Sequence, residues 1–78
     1  MTCKIYLSKY TNDNKDKLII REIKEIFDDV LSAYNYAETE FATQSLFEHY
    51  AIHKITDNEL LYFKDCRGFI ENNTNYNI

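Results

Sequence analysis

His49 and His53 lie four residues apart, a spacing that on a helix puts two imidazoles on one face. Such a pair could hold zinc, with Cys66 or Glu48 as a conceivable third ligand. No CxxC or HExxH pattern accompanies it, so solvated or capping histidines are expected and no metal or other cofactor. Asp28-Asp29 and Glu38/Glu40 are the paired carboxylates that general acid–base chemistry would use. Sequence neighbours diverge around a helix, and 78 residues with one glycine leave little room for a cleft. The Asp pair is therefore expected to cap a helix. Cys66 beside Arg67 is a candidate nucleophilic thiolate, but no histidine is fixed next to it in sequence. These residues assemble into no catalytic constellation, and the protein is not expected to be an enzyme.

A charge pattern is the stronger signal. From Glu25 to His53 there is no Lys or Arg, while the same stretch holds six acids (Glu25, Asp28, Asp29, Glu38, Glu40, Glu48) and six aromatics. The remaining residues carry nine basic and seven acidic groups, within a net charge of −4. An acidic surface is repelled by phosphates and attracted to basic clefts of the kind that handle nucleic acid. Phe27, Phe41 and Phe47 are expected in the core. Tyr34, Tyr36 and Tyr50 cannot all point inward from one helix, and an exposed Tyr suits an interface. The expected partner-binding residues are Tyr34, Tyr36, Glu38, Glu40 and Glu48. The alternatives are an ordinary solvated helix face, or a homodimer that buries the Tyr face on itself.

The elements that must position these residues read as follows. Residues 2–10 alternate, with Cys3, Ile5 and Leu7 on one side and Lys4, Tyr6 and Ser8 on the other, a strand with one buried face. Residues 11–16, TNDNKD, are turn formers. Residues 17–26 are open between strand and helix: Ile19, Ile23, Ile26 and Val30 fit helical spacing, while Leu18-Ile19-Ile20 is a β-prone run. From Asp28 a helix is expected, running to about Tyr50 or breaking near Glu38–Thr39 into two. Residues 59–64, ELLYFK, form a second strand, and Gly68 in Asp65-Cys66-Arg67-Gly68 is expected at positive φ. The fold class is α+β: a small antiparallel sheet of residues 3–9 and 59–64 packed on one long or two short central helices. Ile5, Leu7, Leu61 and Phe63 should meet Val30, Tyr34 and Phe41. One domain spans residues 1–70, and 71–78 is expected to be a flexible polar tail.

Composition excludes several classes. One glycine and no proline rule out Gly-rich phosphate loops. No apolar run approaches the roughly 20 residues of a membrane span, and nothing resembles a signal peptide. Two cysteines, Cys3 and Cys66, are too few for a disulfide framework. A cytoplasmic protein is expected. Direct nucleic-acid binding is not, because the basic residues are scattered; a small nucleic-acid-binding regulator using Lys4, Lys9, Lys15, Lys17, Arg21 and Lys24 is the alternative.

The order of pieces resembles the Dmd-type antitoxins of T-even-type phages over residues 1 to about 68. The matching residues are a short N-terminal strand, Lys24-Glu25-Ile26 or Arg21-Glu22-Ile23, then Asp28-Asp29-Val30. Tyr36-Ala37-Glu38 follows inside the helix, after a one-residue gap, and Asp65-Cys66-Arg67-Gly68 after the last strand. The resemblance implies binding to a host toxin endoribonuclease of the RnlA/LsoA kind, with occlusion of its RNA-cleaving groove and action in the host cytoplasm. The family's contacting helix has a Trp shortly after its Asp-Asp-Val step. Leu31 and Ser32 stand there in this chain, and Tyr34 and Tyr36 are the nearest substitutes.

Overall fold

The computed structural model describes residues 2–10, 17–43 and 47–78, with residues 10 and 17–24 described by their backbone alone. The elements are β1 (Cys3–Tyr10), β2 (Lys17–Phe27), α1 (Val30–Thr43), β3 (His49–Lys54), β4 (Leu60–Asp65) and β5 (Ile70–Asn72). All five strands join one antiparallel sheet in the order β2-β1-β3-β4-β5, and α1 packs on one face, an α+β fold. Expected residues 11–16 of the first turn lie outside the described residues.

Residues 17–27 are strand, not helix. Their β-prone start pairs back on β1, Lys9 opposite Leu18 and Ser8 opposite Ile19, with two register shifts along the ladder. Asp29 is the helix cap: its Oδ1 accepts from Ser32 N at 2.8 Å. That bond, the largest influence on the Asp29 carboxyl, holds it below the usual range. The helix is described over Val30–Thr43 with no break at Glu38–Thr39, residues 44–46 lie outside the described residues, and the expected end at Tyr50 is instead in a strand. Thr39 and Thr43 hydroxyls donate to carbonyls four residues back, an arrangement that weakens a helix locally.

The segment after it is the main correction. Residues 49–54 form a central strand inserted between β1 and β4, so the two expected strands are not neighbours. The period of two is present here, but Tyr50 and Ile52 face the helix while His49 packs into the opposite face, so both sides are buried and the alternation is hidden.

The helix side of the sheet is a lattice of paired residues. Ile5, Ile52 and Tyr62 form one row across β1, β3 and β4; Leu7, Tyr50 and Lys64 form the next. Val30, Ala33 and Ala37 of the helix close over them. Ile5, Leu7, Leu61 and Val30 meet as expected, with Tyr34 and Phe41 packed at the margin. Phe63 does not join them. Tyr62 takes the helix side, and strand alternation sends Phe63 to the other face.

Gly68 sits at φ +93°, which its missing Cβ permits. β5 follows and takes up Glu71 and Asn72, the first residues of the expected tail. Asn73 N donates to Leu61 O at 2.9 Å and Ile78 packs against the core. Among the described residues, no helix is long and apolar enough to cross a membrane.

Candidate functional site

The five expected partner-binding residues do not share one surface. Glu38 faces the sheet: its carboxylate lies 3.1 Å from Lys64 Nζ through both oxygens and accepts from the buried Tyr50 hydroxyl at 2.6 Å. Burial first, and the Glu38 carboxylate second, push the Tyr50 hydroxyl far above its usual range. Tyr34 leans on Tyr62 with ring centroids 5.3 Å apart. Tyr36 packs on Phe27 at 5.2 Å and donates its hydroxyl to Glu40 at 3.2 Å. All four are half-buried. Glu48 is not helical; it lies just before β3, where its amide donates to Ser8 O and its carbonyl accepts from Cys66 N. Tyr50 is fully buried.

The exposed acids of the Glu25–His53 stretch lie instead at the β2–α1 corner. Glu25, Asp28 and Asp29 are all exposed there. Between and beside them stand two exposed apolar residues, Ile26 (66%) and Leu31 (36%). Exposed acids close in sequence to exposed apolar residues are a composition that suits contact with a basic partner. Sequence reasoning counted these carboxylates in the acidic stretch but assigned the contact to the helix.

The face of the sheet opposite α1 carries a second constellation, which sequence reasoning did not find. Directly paired residues give three rows across β1, β3 and β4: Lys4, His53 and Leu60; Tyr6, Ala51 and Phe63; Ser8, His49 and Asp65. The smallest side chain, Ala51, is at the centre, and a depression of about 440 Å³ opens over it. Tyr6 and His53 meet edge to face at 5.2 Å, Lys4 Nζ lies 5.1 Å from the Tyr6 ring centre, and His49 tilts on Phe63 at 5.4 Å. His53 Nδ1 is 3.0 Å from the Asn58 carbonyl oxygen, which can only accept, so Nδ1 carries the proton. The only signal in the sequence was the outward side of β1, Lys4, Tyr6 and Ser8. The partners on β3 were hidden by the helical reading.

The third row has the order Ser, His, Asp of a hydrolase triad, all three buried. Its geometry is different. Ser8 Oγ lies 2.7 Å from His49 Nδ1 and 3.2 Å from Nε2. Ring lone pairs diverge, so one oxygen cannot align with both nitrogens. Asp65 Oδ1 accepts from the amides of Arg67 and Phe69, both at 2.9 Å, and Oδ2 lies 3.5 Å from the Arg67 guanidinium. The carboxylate thus builds the β4–β5 turn.

Burial alone would raise the Asp65 carboxyl, but the Phe69 and Arg67 amides and the Arg67 charge outweigh it and hold the group below the usual range. The unfolded chain therefore binds this proton more tightly. The stabilisation is present above the unfolded value of about 3.9 and fades as pH falls through the lower folded one. Acid unfolding followed by circular dichroism should begin below about pH 4 in the native protein and be flatter in Asp65→Asn. Superimposable acid curves would remove the charge from the turn's stability.

Other expected chemistry is placed as follows. His49 and His53 are in a strand, where four residues span about 13 Å, so the helical zinc spacing does not apply. Among the described residues no group of three or more His, Cys, Asp or Glu is placed to hold a metal ion. Cys3 and Cys66 form no disulfide, and burial pushes the Cys3 thiol up. In the basic cluster, Lys4 and Lys9 are an odd number apart on β1 and point to opposite faces. Lys15 and the side chains of Lys17, Arg21 and Lys24 lie outside the described residues. No protein-family model, curated protein or solved structure matches the chain.

Proposed function

We propose that the protein is a small non-enzymatic inhibitor that docks its acidic side onto a basic, RNA-handling protein. Its resemblance to the Dmd-type antitoxins makes a host toxin endoribonuclease the target class, with action in the host cytoplasm and occlusion of the substrate groove. The observation that carries this reading is the β2–α1 corner: three exposed carboxylates within a few residues of exposed Ile26 and Leu31, in a stretch without Lys or Arg. Desolvating the two apolar side chains would lengthen residence, and the carboxylates would steer encounter.

The test is a pull-down of tagged protein from an uninfected bacterial lysate, beside a Glu25→Lys/Asp28→Lys variant. Both positions are exposed, and Asp29, whose carboxylate caps the helix, is kept, so the fold should persist. The expected result is capture of one ribonuclease that the variant loses. Its association should slow between about 50 mM and about 500 mM salt while dissociation changes little. Capture that survives both substitutions, or no ribonuclease at all, would overturn the reading.

A further inference from the structure

We propose that the helix-free face of the sheet is a nucleobase-binding site centred on Ala51, independent of the acidic docking corner. Ala51 pairs with Tyr6 on one side and Phe63 on the other, so the row is aromatic, methyl, aromatic. Adjacent strands are about 4.8 Å apart, and a ring standing over Ala51 is therefore about 5 Å from each wall. That separation is within the roughly 4.5–7 Å at which aromatic rings attract. Along β3, His49 and His53 close the two ends. The depression, about 440 Å³, is the size of a small-ligand site.

The walls and rim favour a base over an aromatic side chain of a partner protein. Rings stand on all four sides of the Ala51 methyl, and sheet-borne aromatics are the general device for stacking unpaired bases. The lining also holds polar groups, His53 and Asn58, that a base edge can engage and a phenyl ring cannot, while the buried Ser8 hydroxyl is turned to His49. No carboxylate lines the depression, and Lys4 stands on its rim. Glu38 and Glu40 are on the other face of the sheet; Asp65, paired with His49, and Glu71, paired with Phe63, lie on this face but outside the lining, so the base and not the phosphate carries recognition. The Asn58 backbone, at φ +58°, presents the carbonyl that holds His53, a conformation Asn tolerates better than most residues.

The same base chemistry could come from a free nucleoside or mononucleotide, or from a single strand. The experiment is an NMR titration of the isotope-labelled protein with adenosine, uridine, AMP and UMP, beside fluorescence anisotropy with a labelled eight-nucleotide single-stranded RNA. Saturable shifts at Tyr6, Ala51 and His53 are expected. Response to nucleosides identifies a free base as sufficient, and response to the oligonucleotide alone identifies a single strand. Ala51→Leu, which extends outward from a half-exposed position, should fill the slot and weaken binding at least tenfold without lowering the thermal midpoint. Tyr6→Ala should weaken it about 5- to 150-fold, the range for one lost stacking partner. Absence of saturable binding by any of these probes to about 5 mM would overturn the proposal. So would affinities unchanged in both variants, or saturation by N-acetyltryptophanamide with no response to bases.

Discussion

Ile52→Ala is expected to cost about 2–5 kcal/mol and to lower the thermal midpoint by about 8 °C or more, at about 4–8 °C per kcal/mol for a domain of this size. Ile52 is fully buried at the middle of the central row, paired with Ile5 on one side and Tyr62 on the other. Strand backbones on both flanks fix its Cα, so the void left by truncation cannot collapse, and collapse is what lowers such costs elsewhere. A 78-residue domain has only about 4–12 kcal/mol of total stability. At the low end of that range a large share of the molecules would then be unfolded at physiological temperature. Ile52→Val, removing one methyl, should cost about 0.5–1.5 kcal/mol and keep the same denaturant slope. Urea titrations of the two variants check both values. Equal, small losses would mean that β3 is not the centre of the core.

That reading failed for a physical reason. β1 was legible because its two faces differ: Cys3, Ile5 and Leu7 are apolar, while Lys4, Tyr6 and Ser8 are not. β3 was illegible because both of its faces are packed, Tyr50 and Ile52 on the helix and His49 on Ser8 and Phe63. A strand buried on both sides loses its contrast, and no Gly or Pro after Thr43 marked the helix end. Residues 17–27 were undecidable locally, since an edge strand's pairing with β1 is a tertiary choice. The acidic stretch was read correctly as a stretch, but its exposed part depends on which helix face meets the sheet. A five-stranded sheet is wide enough to half-cover Tyr34, Tyr36 and Glu38, and it leaves Glu25, Asp28 and Asp29 outside. The Ala51 depression needed the β1–β3–β4 register, which no local pattern contains.

Glu38 separates a structural role from the partner-binding role first expected of it, and its substitution is the second large effect. Glu38→Ala should cost about 2–3 kcal/mol. It removes the acceptor of Tyr50, whose fully buried hydroxyl lies 2.6 Å away, and the partner of Lys64, 26 residues along the chain. The Tyr50 loss dominates. Its hydroxyl stays protonated across the whole physiological range, because burial and then the Glu38 charge oppose ionisation, so it is always a donor in need of an acceptor. The Lys64 bridge adds less, since 27% and 32% of the two side chains remain in water, which screens the pair. Glu38→Gln preserves an acceptor and loses the charge, and should cost about 1 kcal/mol. In Tyr50→Phe the donor is gone, so adding Glu38→Ala should cost about 1 kcal/mol less than it does alone, a coupling measurable in a double-mutant cycle by urea unfolding. Additive losses, or a Glu38→Ala protein with unchanged stability that no longer captures its partner, would return this carboxylate to the interface.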